Sequence, residues 1–382
     1  MGFRHTLVTV IVIVGHLASG RPESDANGDR FRSYQRQFLR GFADVERLQV
    51  DPIIDDALTH LHRNWLHHRP PPRVFRISFG IPVSFIQRSR VRFNPTRDRP
   101  IGVGSFGTVY KASLDGVVPV AVKFFNNHTA MADSIHEFRN ELRGSYLTVG
   151  LPNVAPFVGF IVDRTLGPGI VTRFGEGGTV SQFLERNKFI PAHIRLRLAA
   201  ELCTGVAGMH ARNVVHGDIN PKNVVIGFPN GVVGKFEVWI IDLSSARALS
   251  AQYIPNMMTC TISYASPEQV RAGVTGDFRW GAPSDVWSLA MVALYCINGV
   301  AWEPEVLKRP QIGNDIFKAC QLYLKELDDG RIWPALPPNL VSKSTADVIH
   351  ACFTMDPERR PSSAALAAAL EQEAYRLELL ST

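Results

Sequence analysis

Apolar residues recur every three or four positions at Phe31, Tyr34, Phe38, Phe42, Val45 and Leu48, which puts them on one face of a helix. Arg32, Arg36, Arg40 and Arg47 fall on the other face. A weaker stripe follows at Ile54, Leu58, Leu61 and Trp65, flanked by His60, His62, His67 and His68. Arg69-Pro70-Pro71-Pro72 closes this region, because consecutive prolines cannot continue a helix and favour an extended linker. Within 74–100, the runs VFRISF and SFIQ predict short strands. From about Ile101 to Phe174 strand patterns dominate around one helix, and beyond them helices dominate. The pattern therefore predicts an α+β chain, with a small β-rich lobe to about residue 175 and a larger helical lobe from about 176.

Composition adds boundaries to this picture. A chain of 382 residues with 45% apolar content exceeds one small core. The net charge of +6 is unevenly placed, since residues 1–100 hold sixteen Arg against nine acids and the remainder 25 bases against 26 acids. The basic character belongs to an N-terminal extension, so it gives no reason to expect a nucleic-acid partner for the rest. A basic amphipathic helix suits an anionic membrane surface, where apolar burial and charge attraction add. The same stripe also fits docking on the globular part, with its Arg simply solvated. Residues 1–20 have a basic start (Arg4, His5), an apolar run from Leu7 to Val14 and small residues Ala18-Ser19-Gly20, the layout of a signal peptide. An uncleaved anchor is the alternative. The expected organisation is a leader over 1–20, an Arg-rich amphipathic helical extension with its Pro linker over 21–73, and a folded domain over 74–382. Five cysteines (Cys203, Cys260, Cys296, Cys320, Cys352) can pair in an oxidising compartment or stay as buried thiols. Asn127-His128-Thr129 is a glycosylation sequon.

Several segments carry chemistry. Gly102-Val103-Gly104-Ser105-Phe106-Gly107-Thr108-Val109 is a G-x-G-x-x-G-x-V loop whose glycines let backbone approach phosphates. A dinucleotide fold would need a helix next, whereas Thr108 to Ala112 reads as a strand. Val120-Ala121-Val122-Lys123-Phe124-Phe125 is an apolar strand holding one Lys, and a cation there is costly unless paired or facing a phosphate. Glu141, in the helical segment 136–142, is the expected partner, with Glu137 its competitor. HGDINPKN, from His216 to Asn223, sets a carboxylate, Asp218, five positions before an amide, Asn223. About twenty residues on, the apolar run from Val238 ends in Asp242, with Pro229-Asn230-Gly231 as a hairpin turn between.

Taken in order, these segments resemble the eukaryotic protein kinase superfamily over roughly residues 98–375, with His216–Asn223 at the H-R-D-x-x-x-x-N loop and Asp242-Leu243-Ser244 at D-F-G. Tyr264-Ala265-Ser266-Pro267-Glu268 is similar to the A-P-E element, with Arg360 as partner for Glu268 and Asp285 as the brace of the catalytic loop. The resemblance implies a bilobal kinase fold that binds ATP and Mg2+ and phosphorylates protein substrates. It implies Asp218 as the base, Lys123 and Glu141 as the phosphate-binding ion pair, and Asn223 and Asp242 as metal ligands. Gly102, Val103, Gly104, Ser105, Phe106, Gly107 and Val109 would cover the nucleotide, beside Ala121. Thr172 would guard the adenine pocket, and Arg173, Phe174 and Gly175 would present backbone groups to adenine. With the leader and the basic extension, the chain also resembles the rhoptry kinases secreted by apicomplexan parasites, which implies a rhoptry origin, delivery to the host cell or vacuole membrane, and host proteins as partners.

Three positions depart from the pattern. Gly217 stands where an Arg is common, which predicts activity that needs no phosphorylated loop residue. Asn220 replaces a Lys that would neutralise the transferring phosphate, and Lys222, two residues on, is the substitute cation. Leu243-Ser244 replaces Phe-Gly and restricts the backbone. Pro221 and Thr261 match the serine/threonine rather than the tyrosine pattern. The alternative is a pseudokinase that binds nucleotide or a partner without turnover.

Overall fold

The computed structural model describes residues 85–104, 107–125, 131–163, 165–228, 236–249, 261–275, 280–300, 302, 304–308, 316–337 and 339–381. The expected leader, amphipathic extension, sequon and Pro229-Asn230-Gly231 turn lie outside them, as do Ser105, Phe106 and Cys260. The chain divides into Met1–Gln87 and Arg88–Thr382. Residues 85–87 of the first unit form no regular strand, so SFIQ is not the strand its pattern predicts.

In the second unit a curled antiparallel sheet comes first. It comprises β1 (Val91–Arg92), β2 (Gly102–Gly104), β3 (Gly107–Leu114), β4 (Val118–Phe124), β5 (Phe157–Asp163) and β6 (Gly167–Arg173). The order is β1-β3-β4-β6-β5, with β2 paired to β3. Strand β4 shows why it forms: Val120, Val122 and Phe124 alternate onto one face and are fully buried, while Ala121 and Lys123 point to the other. Helix α1 (Met131–Thr148) packs on the buried side through Phe138 and Leu142. Phe138 meets Phe125 and Phe160 edge to face.

Helices dominate after Arg173. Short β7 (Gly178–Thr179) leads into α2 (Val180–Arg186), which opens on a capping box between Thr179 and Gln182. Then come α3 (Ala192–Ala211), β8 (Val214–Val215), β9 (Val224–Gly227), β10 (Glu237–Ile240) and β11 (Arg247–Ala248). Helices α4 (Pro267–Thr275), α5 (Ala282–Asn298), α6 (Ile316–Asp328), α7 (Lys343–Ala351) and α8 (Ser363–Leu379) follow. Helix α5 is buried on every side from Ser284 to Cys296, which its nearly all-apolar sequence permits, and Gly299 ends it in the left-handed conformation. Trp287, Tyr323, Phe353, Leu366 and Leu370 fill the core around it. Cys203, Cys296, Cys320 and Cys352 are buried thiols in this helical layer with no disulfide among the described residues, the second of the two alternatives, and burial pushes each thiol up.

Two small antiparallel pairings set the site. Strands β9 and β10 pair from Val224 to Gly227, and β8 pairs with β11. The first holds the segment after Asn223 against the one that runs into Asp242. Ile241 N–H then donates to the Asn223 carbonyl at 2.9 Å.

Candidate active site

The sheet face opposite the core is assembled by register. Val109 lies opposite Lys123, Ala121 opposite Thr172, and Lys123 opposite Ile170, so these residues of β3, β4 and β6 share one face. Gly107 fits the turn of the β2–β3 hairpin because a Cβ there would strike the Phe124 carbonyl carbon at 3.1 Å, whereas Gly104 has open space where its side chain would be. Val103 is exposed at the same tip. A loop whose middle glycine faces room and not protein suits a ligand beneath it.

Past β6 the backbone narrows to donors. Arg173 N–H donates to Pro156 and Phe174 N–H to Pro119, so of the expected adenine-facing backbone groups these two donors are already engaged, while the carbonyls of this stretch are not tied up by those bonds. Gly175 N–H has no acceptor among the described residues, and a Cβ on Gly175 would lie 2.8 Å from Val225 of β9.

Lys123 is the electrostatic centre. Its Nζ lies 2.7 Å from Glu141 Oε2 of α1 and 2.8 Å from Asp242 Oδ1. Burial works against the ammonium, but the two carboxylates outweigh it and hold the proton more tightly than in an ordinary Lys. Burial likewise opposes charge on Asp242, and Lys123 overcomes it, so that carboxyl sits below the usual range. Burial pushes the Glu141 carboxyl up.

Asp218 sits across from this cluster. Its Oδ1 accepts the Thr261 N–H at 2.8 Å and its Oδ2 accepts Asn223 Nδ2 at 2.8 Å. Burial raises the Asp218 carboxyl, with the Asp242 charge adding to the effect and Thr261 opposing it. Asn220 is buried and ties the loop together, donating to the Asp218 carbonyl at 3.2 Å and to Thr261 Oγ1 at 3.1 Å. The Asn220 Oδ1 accepts the Lys222 N–H at 3.0 Å. The Lys222 side chain is exposed and makes no hydrogen bond or ion pair among the described residues. In the sequence Asn220 is a missing cation; in the fold it is the clasp between Asp218 and Thr261.

The loop is braced from below. Asp285 accepts both the His216 N–H at 2.8 Å and the Gly217 N–H at 2.9 Å, and His210 holds Asp285 at 3.0 Å. Gln269 Nε2 donates to the Gly217 carbonyl at 2.9 Å. Gly217 has φ of +84°, and a Cβ there would lie 2.6 Å from the Trp280 ring. Arg247 stacks on that ring at 4.2 Å and donates to the Trp280 carbonyl. The room beside residue 217 is therefore filled by an indole. Gly217→Arg is expected to combine a backbone penalty with overpacking, for a loss of about 2 kcal/mol or more in thermal or denaturant unfolding.

The oxygens fit a hard divalent cation. Both Asn223 Nδ2 bonds go to Asp218, which leaves Asn223 Oδ1 as an acceptor, and Asp242 adds a carboxylate tied to Asn223 through Ile241. Among the described residues no group of three His, Cys, Asp or Glu makes a metal site alone, so phosphate and water oxygens would complete the coordination, as is usual for Mg2+.

This arrangement matches a known one. The family model described as protein kinase domain matches residues 96–373. The chain belongs to the protein kinase family. Its curled sheet and helical layer are the two lobes of that fold. It is 27% identical to serine/threonine-protein kinase shk2 of Schizosaccharomyces pombe, covering 70% of this chain and 42% of that kinase. It is 26% identical to serine/threonine-protein kinase CTR1 of Arabidopsis thaliana, covering 70% of this chain and 30% of that one. Mitogen-activated protein kinase kinase 3 of Arabidopsis thaliana is 28% identical over 51% of this chain and 33% of its own. The chain thus spans less than half the length of these relatives. Kinases of this family use ATP and a divalent metal.

Proposed function

We propose that this kinase-family chain is an active serine/threonine protein kinase that moves the ATP γ-phosphate, with Mg2+, to protein hydroxyls. The observation that carries this reading is the joint placement of Lys123, Glu141 and Asp242 in one ion cluster and of Asp218 with Asn223 on the adjoining loop. In the reaction the substrate oxygen bonds to the γ-phosphorus, the bond from that phosphorus to the bridging β-γ oxygen breaks, and ADP leaves. Asp218 takes the hydroxyl proton, and Thr261 and Asn223 hold its carboxylate in place. Lys123 meets the phosphates, and Glu141 keeps it aimed. Asn223 Oδ1 and Asp242 would hold the metal, which supplies charge neutralisation at the phosphates. Gly175 N–H is the adenine donor, with Thr172 beside the pocket. Val103, Gly104 and Gly107 form the cover. The relatives named as serine/threonine kinases and the contact of Thr261 with Asp218 support hydroxyls of Ser and Thr as acceptors.

Lys222 supplies the cation that Asn220 does not. Its side chain is exposed and makes no hydrogen bond or ion pair among the described residues, and it stands four positions after Asp218 on the same loop. Lys222→Ala is expected to lower kcat by about tenfold or more, with binding of an ATP analogue little changed. Steady-state kinetics check this, and full turnover in the variant would remove the compensation.

The address is part of the same proposal. The leader over 1–20 and the basic stripe over 21–73 support a secreted, rhoptry-type effector that meets an anionic membrane and phosphorylates host proteins. Changing Arg32, Arg36 and Arg40 to Glu is expected to weaken liposome flotation. Unchanged flotation would contradict the electrostatic attachment.

A further inference from the structure

Ser244 is left unused by the catalytic reading, yet it touches the centre of the site. Two residues before it, Asp242 has φ 59° and ψ 73°, a left-handed conformation that residues other than Gly adopt only at a cost. The run from Val238 is a strand only to Ile240, so Asp242 does not end a strand as its pattern predicts. It stands instead at the start of the turn Leu243–Ser245, and its side chain caps nothing there. The carboxylate has been turned to another use.

The backbone of this turn is held from the α1 side. Gly144, one turn after Glu141, has no side chain where Leu243 presses in, and a Cβ on it would lie 2.6 Å from the Leu243 Cβ and collide with its carbonyl. Leu243 is buried there, and Ala246 N–H closes the turn on its carbonyl at 3.1 Å. The side chain of Asp242 is held separately. Its Oδ1 accepts Lys123 Nζ at 2.8 Å and Ser244 Oγ at 2.8 Å. These donors come from different parts of the chain, one from β4 and one from the turn itself. Neither falls on Oδ2. Lys123 is a long side chain shared with Glu141 and, on the reading above, also meets the phosphates. The Ser hydroxyl is short, neutral and used for nothing else among the described residues.

We infer that Ser244 is a positioning residue for Asp242, whose hydroxyl holds Oδ1 and so turns Oδ2 toward the divalent cation that accompanies the nucleotide. The inference rests on the proposed metal role of Asp242. Exchanging a permissive Gly for Ser at this place gives up backbone freedom and gains a hydroxyl that bonds the carboxylate, as groups hydrogen-bonded to metal ligands do elsewhere.

The test uses Mn2+ as probe, with the full chain saturated by a non-hydrolysable ATP analogue and free Mn2+ read by electron paramagnetic resonance. Ser244→Ala is expected to weaken Mn2+ binding by about tenfold or more. Ser244→Thr keeps the hydroxyl and is expected to bind Mn2+ close to wild type. Both variants are expected to melt with wild type when no metal is present, which a purely structural role would not allow. Wild-type affinity in Ser244→Ala, or equal loss in Ser244→Thr and Ser244→Ala, would overturn the inference. Asp242→Ala separates the two levels. Lost Mn2+ binding there with none lost in Ser244→Ala rejects the Ser244 role alone, and binding retained in Asp242→Ala rejects the metal reading together with it.

Discussion

Replacing Asp218 by Asn is expected to lower kcat by about 10²–10⁴-fold while an ATP analogue binds as it does to wild type. Asn is nearly the same size and its one oxygen can still accept the Thr261 N–H that Asp218 Oδ1 receives at 2.8 Å, though its NH2 then replaces the Oδ2 that accepts Asn223 Nδ2. What it cannot do is take the proton of the attacking hydroxyl. Analogue affinity measured beside kcat separates this loss of chemistry from any disturbance of Asn223 and the nucleotide contact. The same residue sets the acid limb of the wild-type pH profile. Burial holds the Asp218 carboxyl above its ordinary value, with Asp242 reinforcing the shift. A base works only when ionised, so kcat/KM is full above that raised value and falls as pH drops through it. The midpoint is expected above about 3.9, the value for an unperturbed Asp. A limb at or below that value would mean that Asp218 is not the titrating base.

Removing the Glu268 carboxylate is expected to cost about 3–5 kcal/mol of stability, because it leaves a buried guanidinium without its counter-charge. Arg360 has a fully buried side chain and meets Glu268 through two bonds, at 2.7 and 2.9 Å. It also donates to the Thr354 and Pro283 carbonyls, both at 2.9 Å, and lies 5.2 Å from the Trp287 ring centroid. Ser284 adds a third bond to Glu268 at 2.7 Å. The pair thus joins the start of α4 to the start of α5 and to the segment before α8. In a thermal melt Glu268→Ala is expected to lower the midpoint by on the order of 10 °C. Glu268→Gln keeps hydrogen bonding and is expected to cost less. Burial works to raise the Glu268 carboxyl, but Arg360 holds it below its ordinary value. Its contribution is therefore present above the unfolded value and is lost as pH falls through the lower folded one. A midpoint for Glu268→Ala within a degree or so of wild type would show the pair to be dispensable.

The parts of the site carried by local pattern were readable along the chain. A lone Lys in the apolar run Val120 to Phe125 needs a partner or a phosphate, and the pairing with Glu141 and not Glu137 is the one the fold makes. The A-P-E-like segment pointed to Arg360 as partner of Glu268. Contacts between positions distant in sequence were not readable. Nothing near Gly217 announces that Trp280 fills its place, since that neighbour depends on how the segment before α5 folds back. Asn220 reads as a lost cation until Thr261, 41 residues on, is seen to accept its amide. The left-handed turn at Asp242 is invisible to a hydrophobicity pattern that runs unbroken through Ile241. Position in sequence points to the backbone of Arg173 to Gly175 as facing adenine, but not to which groups are open: Pro156 and Pro119 take the first two N–H groups.

The central claim is that this protein-kinase-family chain catalyses transfer. Its most direct measurement is incorporation of label from γ-labelled ATP, with Mg2+, into a protein acceptor, followed by identification of the phosphorylated amino acid. Wild type is predicted to accumulate phosphoserine and phosphothreonine, with little or none from Asp218→Asn. Nucleotide bound by wild type with no label transferred, or equal labelling by both proteins, would contradict it.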